Sequence, residues 1–126
     1  MKRKIAKPSE AELEILQILW RDGPSTVREI FDKIAEVKKV GYTTVLKIMQ
    51  RMNEKNFLKR TETDGKHVYY PLLKEADTQK VLMDKILAAA FGGSAVKLIM
   101  HMLGNKKTSK EELKSIREYI DSIYKE

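Results

Sequence analysis

Apolar residues recur every three or four positions through the first part of the chain, which is the period of an amphipathic helix. Two such runs each begin at a capping box, formed by Ser9 with Glu12 and by Thr26 with Glu29. The first run ends at residues 22–24, where Gly and Pro follow Asp, since Pro cannot continue a helix. The pattern therefore predicts two short helices in succession.

A third helix is predicted from about Thr43 to Asn53, after a break at residues 38–41. An advance of about 100° per residue divides its side chains into two faces. The apolar arc consists of Val45, Ile48, Met49 and Met52, whereas the opposite side carries Thr43, Lys47, Gln50 and Arg51, with Thr44 and Lys55 at its edge. One face can be buried on the first two helices, while the other offers hydroxyl, amide and cationic groups.

The next segment predicts a β-hairpin. Asn56 is expected to end the third helix in the left-handed conformation. Two runs typical of strands follow, at Leu58–Thr63 and Lys66–Leu72, and the Asp64-Gly65 pair between them is a strong signal for a tight turn. Pro71 fits the end of the second strand, because it cannot donate to the sheet.

The second half of the chain is predicted to be entirely helical. One helix spans about Glu75–Phe91, and a short apolar helix capped by Ser94 follows the Gly92-Gly93 break. Thr108 and Ser109 offer overlapping capping boxes for a last helix. Its apolar residues Leu113, Ile116, Ile120 and Ile123 form a seam with the spacing of a coiled coil.

Composition limits what the chain can do. Its 126 residues suit one domain or two small ones, and its net charge of +7 favours a polyanionic partner. It has no Cys, which excludes disulfides, thiolate metal sites and cysteine nucleophiles. No apolar run approaches the roughly 18 residues of a membrane span, so we expect a cytoplasmic protein without membrane insertion.

Three short helices followed by a hairpin is the order of a winged helix-turn-helix. The basic excess is concentrated in residues 38–67, with eight basic and three acidic side chains. A basic run can be a solvated face, but here a basic hairpin directly follows a helix with a polar face. The residues predicted to contact DNA are Tyr42, Thr43, Thr44, Lys47, Gln50, Arg51, Lys55, Lys59, Arg60, Lys66 and His67. Tyr42 could instead fill the core.

Several segments resemble the BlaI/MecI/CopY family of penicillinase and copper-operon repressors. The first helix, with Glu14-Ile15-Leu16 and Leu19-Trp20, and the Pro24–Ile30 segment are similar to the opening of that family. Tyr42-Thr43-Thr44-Val45 with Gln50-Arg51-Met52 resembles its recognition helix, and Val68–Leu72 resembles the end of its wing. The helical tail, with Phe91-Gly92-Gly93, is also similar, so that the resemblance covers almost the whole chain.

The resemblance implies a homodimeric bacterial repressor on operator DNA. Residues 1–74 would form the winged-helix domain and residues 75–126 a helical dimerisation domain. In the beta-lactam branch of the family, a membrane sensor leads to proteolysis within the dimerisation domain, and the matching bond here is His101–Met102. The copper-responsive branch uses a Cys-rich metal site, which this chain lacks.

The apolar content of the second half gives an independent reason to expect a dimer. About 50 residues are too few for a good core, yet they hold more apolar surface than three helices would hide. The residues predicted at the dimer interface are Leu82, Ile86, Leu98, Ile99, Met102, Leu113, Ile116, Ile120 and Ile123. The alternative is that these helices pack back on the winged helix.

An enzymatic function is not expected. His67 and His101 lie far apart in sequence, and the chain has no nucleotide fingerprint, P-loop or metal-binding His pair. No cofactor or metal is therefore predicted. The alternative to specific DNA binding is a winged helix that mediates protein–protein contacts, whereas an RNA-binding function lacks the expected aromatic platform.

Overall fold

The computed structural model describes residues 7–105 and 107–125. The elements are α1 (Glu10–Asp22), α2 (Val27–Ala35), α3 (Tyr42–Glu54), β1 (Leu58–Thr63), β2 (Lys66–Pro71), α4 (Glu75–Phe91), α5 (Ala95–Gly104) and α6 (Lys110–Tyr124). They fall into two compact units, with the division between Leu82 and Met83. The division lies within α4, whereas the sequence boundary at residues 74–75 lies at its start.

The helix starts confirm the predicted caps. Ser9 and Thr26 each form a complete capping box, with Glu12 and Glu29 respectively. Ser94 caps α5, as predicted. For α6, a complete box forms at Ser109 with Glu112. Local sequence therefore fixes where most of the helices begin.

The end of α3 forms a Schellman motif. Asn56 has a φ of 64°, as the sequence predicts, and its amide donates to the carbonyl of Asn53 at 3.2 Å. The amide of Phe57 donates to the carbonyl of Met52 at 2.8 Å. These two hydrogen bonds satisfy carbonyls at the helix end and turn the chain sharply into β1.

The two strands form an antiparallel hairpin, which we call the wing (residues 58–71). Its register runs from Leu58 opposite Pro71 to Thr63 opposite Lys66. The turn residues Asp64 and Gly65 both have positive φ, 52° and 76°, as a type I′ turn requires. β2 ends at Pro71, one residue before the predicted end.

The base of the wing is joined to the segment between α1 and α2. The amide of Ser25 donates to the carbonyl of Tyr69 at 3.0 Å, and the amide of Tyr69 donates to the carbonyl of Ser25 at 2.8 Å. Ser25 thus adds a single antiparallel bridge to the two-stranded sheet. An isolated two-stranded hairpin is only marginally stable in water, so this pairing and the buried ring of Tyr69 hold the wing in place.

The hydrophobic core lies between the first three helices and the base of the wing. It consists of Ile15, Leu16, Ile18, Leu19, Val27, Ile30, Ile34, Val45, Met49, Met52, Leu58 and Tyr69. The predicted apolar arc of α3 is confirmed, with Ile48 half-buried at its edge. Trp20 packs against this core and its indole donates to the carbonyl of Leu73 at 2.9 Å, which ties the chain leaving the wing to α1.

The second unit contains the later turns of α4 together with α5 and α6. Gly92 and Gly93, both at positive φ, lie at the break where the chain turns by 90° between α4 and α5. Among the described residues, none beyond Thr78 is buried. No single described helix is both long and apolar enough to cross a membrane, although α4 and α5 taken together across their bend pass the same length and composition criteria.

Candidate nucleic-acid interface

The outer face of α3 presents every polar side chain that the sequence assigns to it. Thr43, Thr44, Lys47, Gln50 and Arg51 are all exposed, while Val45, Met49 and Met52 on the opposite side are buried. Burial of the apolar arc on α1 and α2 fixes the rotation of α3 about its own axis. The helix is therefore held with hydroxyl, amide and cationic groups directed away from the core.

Lys55, which directly follows α3, forms an ion pair within the chain. Its ammonium nitrogen lies 2.6 Å from the carboxylate of Glu12 and 5.1 Å from the ring centroid of Phe57. Burial raises the pKa of Glu12, but hydrogen bonds from Lys55 and the Ser9 amide, with the charge of Lys55, outweigh this and hold the pKa below its usual value. The positive charge of Lys55 is thus partly compensated within the chain.

The wing distributes its basic side chains over both of its faces. Arg60 lies opposite Tyr69, and His67 lies opposite Glu62. Cross-strand partners share a face and alternate pairs share it too, so Arg60 and His67 lie on the same face as the buried Tyr69. Lys59 and Lys66 belong to pairs of the other face, and all four basic residues are exposed.

A groove lies between α2, α3 and the wing, and we call it the wing groove. Its volume is about 390 Å³, and it is lined by Thr26, Val27, Arg28, Tyr42, Leu46, Gln50, Arg60, Lys66, His67 and Tyr69. Five predicted DNA-contacting residues therefore come together here, from the helix and from both strands. Thr43, Thr44, Lys47 and Arg51 do not line the groove and lie on the exposed face of α3 beyond it.

Arg28 is a residue of this site that sequence reasoning missed. Its guanidinium carbon lies 5.4 Å from the ring centroid of Phe31 and 5.9 Å from that of Tyr42. The two rings meet edge to face, with centroids 5.6 Å apart and an angle of 75° between their planes. The available signal was the i, i+3 spacing of Arg28 and Phe31 on the amphipathic α2, which places them side by side.

The sequence left open whether Tyr42 contacts DNA or fills the core, and the structure bears only on the second alternative. The residue is 39% exposed, so it is not a core residue, but its ring is held by Phe31 and Arg28. It lines the wing groove at the first position of α3. Tyr42 is therefore a fixed aromatic group at the edge of the polar surface.

Glu29, in the first turn of α2, is an acidic residue close to these basic groups. A hydrogen bond from the backbone amide of Thr26 to the carboxylate of Glu29, together with the neighbouring Thr26 side chain, lowers the pKa of Glu29. The positive charges of Lys33 and Lys66 lower it further. Glu29 is thus anionic at neutral pH and offsets part of the local positive charge. Among the described residues, no group of three His, Cys, Asp or Glu side chains could hold a metal ion.

The residues predicted for dimerisation are largely exposed within the single chain. Leu82 and Leu98 are half-buried. The exposed residues are Ile86, Ile99, Met102, Leu113, Ile116, Ile120 and Ile123, with exposed fractions from 37% to 59%. His101, on α5, is also exposed, and the centroid of its ring lies 6.1 Å from the ring centroid of Phe91.

Residues 8–122 match the family model described as "Penicillinase repressor". This chain belongs to the penicillinase repressor family. The resemblance to BlaI and MecI transcriptional repressors that the sequence suggested is thereby confirmed.

The chain shares 24% identity over 125 residues with the penicillinase repressor of Staphylococcus aureus, covering 99% of each chain. It shares 26% identity over 122 residues with the transcriptional regulator BlaI of Mycobacterium tuberculosis, covering 95% of this chain and 87% of the relative.

A solved structure supports the fold of this repressor's first unit. It is the solution structure of the monomeric form of Bacillus licheniformis BlaI in complex with the blaP half-operator, which is 24% identical, with a TM-score of 0.52. The match covers 60% of this chain and 93% of that chain. The predicted fold class, mostly helical with a small β-hairpin wing, is confirmed.

Proposed function

We propose that this repressor binds operator DNA sequence-specifically as a homodimer, with α3 in the major groove. The observation that carries the proposal is the wholly polar outer face of α3 beside a basic wing, in a chain of the penicillinase repressor family. A relative of this fold, BlaI of Bacillus licheniformis, is described in complex with a half-operator. An α-helix fits the major groove, where the pattern of donors and acceptors identifies each base pair.

The side chains of α3 supply the groups needed for base reading. Arg51 and Lys47 can donate to the O6 and N7 atoms of guanine, and Gln50 can pair with adenine. The methyl and hydroxyl groups of Thr43 and Thr44 suit thymine methyl groups and base edges. Sequence preference is therefore assigned to these five residues.

The wing is assigned to the DNA backbone. Lys59, Arg60, Lys66 and, when protonated, His67 would neutralise phosphates and release counterions, which gives affinity and salt sensitivity without sequence reading. Tyr42 would contact a sugar or a thymine methyl group at the start of α3. Lys55 is included as a phosphate contact at the other end, in competition with its ion pair to Glu12.

The helices of residues 75–126 are assigned to dimerisation, and residues 1–74 to DNA binding. No described residue of the second unit is buried, and several large apolar side chains of α5 and α6 are more than half exposed. A second copy of the chain would remove this surface from water, at about 25 cal/mol for each Å² covered. A two-fold dimer would then present two copies of α3 to two half-sites.

Relief of repression is assigned to proteolysis by a regulatory protease within a membrane-sensor pathway. The candidate bond, His101–Met102, lies inside α5, and both residues are exposed. Because a protease binds an extended chain, α5 would have to unwind at this bond before cleavage. We assign the protein itself to the cytoplasm, as a repressor rather than an enzyme, with no cofactor.

Selection of duplexes from a random pool by the purified protein, at two salt concentrations, tests the proposal. Enrichment of a palindrome is the expected result, and its half-site spacing would define the dimer geometry. Retention of DNA without an enriched sequence would contradict sequence-specific reading. Absence of retention even at low salt would overturn DNA binding and favour a winged helix that mediates protein–protein contacts.

A further inference from the structure

Arg28 is a cation of the wing groove that stands on α2, whereas the other cations of the groove stand on the wing. Its guanidinium lies over two aromatic rings, those of Phe31 and Tyr42, at 5.4 and 5.9 Å. A long cationic side chain normally loses rotamer entropy when a ligand fixes it. Contacts with the rings restrict Arg28 in advance, which reduces that cost.

The remaining contact of Arg28 leaves it able to bind an anion. Its Nε atom lies 3.4 Å from Oδ1 of Asp32, one helical turn away. Both side chains are well exposed, 69% for Arg28 and 58% for Asp32, and exposed pairs of this kind contribute little. The contact uses Nε, so the two terminal nitrogens can donate to the oxygens of a phosphate, which is the bidentate geometry that Arg favours.

The other walls of the groove complete a site for a nucleic-acid backbone. Arg60, Lys66 and His67 line it from the wing, and Gln50 lines it from α3. A polyanion in this space would contact positive groups on two sides. Because Arg28 touches Tyr42, the first residue of α3, a phosphate held by Arg28 has a fixed position relative to that helix.

We propose that Arg28 binds one backbone phosphate of the operator strand in the wing groove and thereby positions α3 along the major groove. The proposal rests on the proposed function, since it requires a bound duplex. It assigns to α2 a role in DNA binding that is separate from base reading. Loss of Arg28 should weaken binding on every sequence to a similar extent.

The experiment compares the full-length protein with Arg28→Gln and Arg28→Lys. A set of duplexes, each carrying one uncharged methylphosphonate linkage, is titrated with each protein. Arg21→Gln is the matched control, because Arg21 is also an exposed arginine paired with a neighbouring aspartate, but it does not line the wing groove. Thermal unfolding of each variant checks that the fold is retained.

We expect one linkage at which loss of charge weakens binding by the unmodified protein about tenfold or more. Arg28→Gln should abolish that sensitivity, and should reduce the salt slope by about one unit. Arg28→Lys should retain the salt slope, and Arg21→Gln should retain the sensitivity. If Arg28→Gln keeps the sensitivity at every linkage, the inference is overturned while DNA binding stands. If the unmodified protein binds no duplex, the proposed function itself fails.

Discussion

The ammonium nitrogen of Lys55 lies 2.6 Å from Oε2 of Glu12, and this ion pair joins the end of α3 to the first turn of α1. The other carboxylate oxygen, Oε1, accepts a hydrogen bond from the amide of Ser9 at 2.8 Å. Glu12 therefore serves two elements at once, as the capping partner of α1 and as an anchor for the end of α3. It is 6% exposed, so the loss of either interaction leaves a polar group with little access to water.

Replacement of Glu12 tests this link. Glu12→Gln should retain an acceptor for the Ser9 amide but lose the charge that faces Lys55, and we expect about 1–3 kcal/mol less stability against unfolding. Urea unfolding followed by the fluorescence of Trp20, the chain's one tryptophan, measures it. Glu10→Gln is the control, because Glu10 is exposed in the same helical turn. In a double-mutant cycle that combines Glu12→Gln with Lys55→Met, a coupling energy near zero would contradict the inferred link between the two side chains.

The same carboxylate predicts a pH dependence. The pKa of Glu12 is lower in the folded chain than its ordinary value of 4.5. Its contribution to stability is therefore complete above about pH 4.5 and is lost as the pH falls through the folded-state pKa. The free energies of unfolding of the unmodified protein and of Glu12→Gln, measured between pH 7 and pH 3, should converge in acid. A difference that grows with acidification would contradict the assignment.

Asn56 allows a test of the turn after α3. Its φ of 64° is the left-handed conformation, which costs a residue with a Cβ atom about 1–2 kcal/mol unless a short polar side chain relieves it. Asn56→Ala should therefore destabilise the protein by roughly 1 kcal/mol, whereas Asn56→Gly should be neutral or stabilising. Urea unfolding of the two variants gives the comparison, and equal effects of Ala and Gly would contradict it.

Arg51 on the exposed face of α3 tests base reading. If Arg51 contacts a guanine, Arg51→Ala should cost about 1–3 kcal/mol on the selected duplex and relax the preference at one base pair. The measurement is affinity for the selected duplex and its single-base variants at fixed salt. Arg117→Ala, on the exposed surface of α6, is the control. Equal loss on all sequences would identify Arg51 as a phosphate contact instead.

The exposed apolar seam of α6 tests dimerisation. Ile120 is 54% exposed in the single chain, and Ile120→Lys would place a charge in the proposed interface. We expect sedimentation equilibrium to show a shift from dimer towards monomer. Glu118→Lys adds a lysine on the opposite side of α6 and should leave the dimer intact. An unmodified protein that is monomeric at micromolar concentration would refute the dimer.

Much of the fold could be predicted because its signals are local. Capping boxes at Ser9 and Thr26 determine helix starts, and the Asp64-Gly65 pair determines the hairpin turn, since each depends on residues at most three positions apart. The period of apolar residues also identified the buried side of α3. These features need no knowledge of distant parts of the chain.

The missed features depend on contacts between distant residues. Arg28 meets Tyr42 only because α2 and α3 pack together, and Lys55 meets Glu12 across 43 positions. From the sequence alone, Lys55 is one more basic residue near α3. In the structure it is paired with the carboxylate of Glu12. The wing groove could not be predicted as a space, although five of its residues were predicted individually.

From the pairing of Ser25 with Tyr69, we expect the base and the tip of the wing to open at different rates. At the base, the amide of Tyr69 donates to Ser25 and the amide of Ser25 donates to Tyr69, and Tyr69 is itself buried. Their deuterium exchange should require the cooperative opening of the whole first unit. The tip around Asp64 and Gly65 is exposed on both strands and has no such support, so its amides should exchange by local fraying. We therefore expect the wing to be stiff where it meets the protein and compliant at its tip, so that the basic side chains near the tip can adjust to the phosphates of a bound duplex.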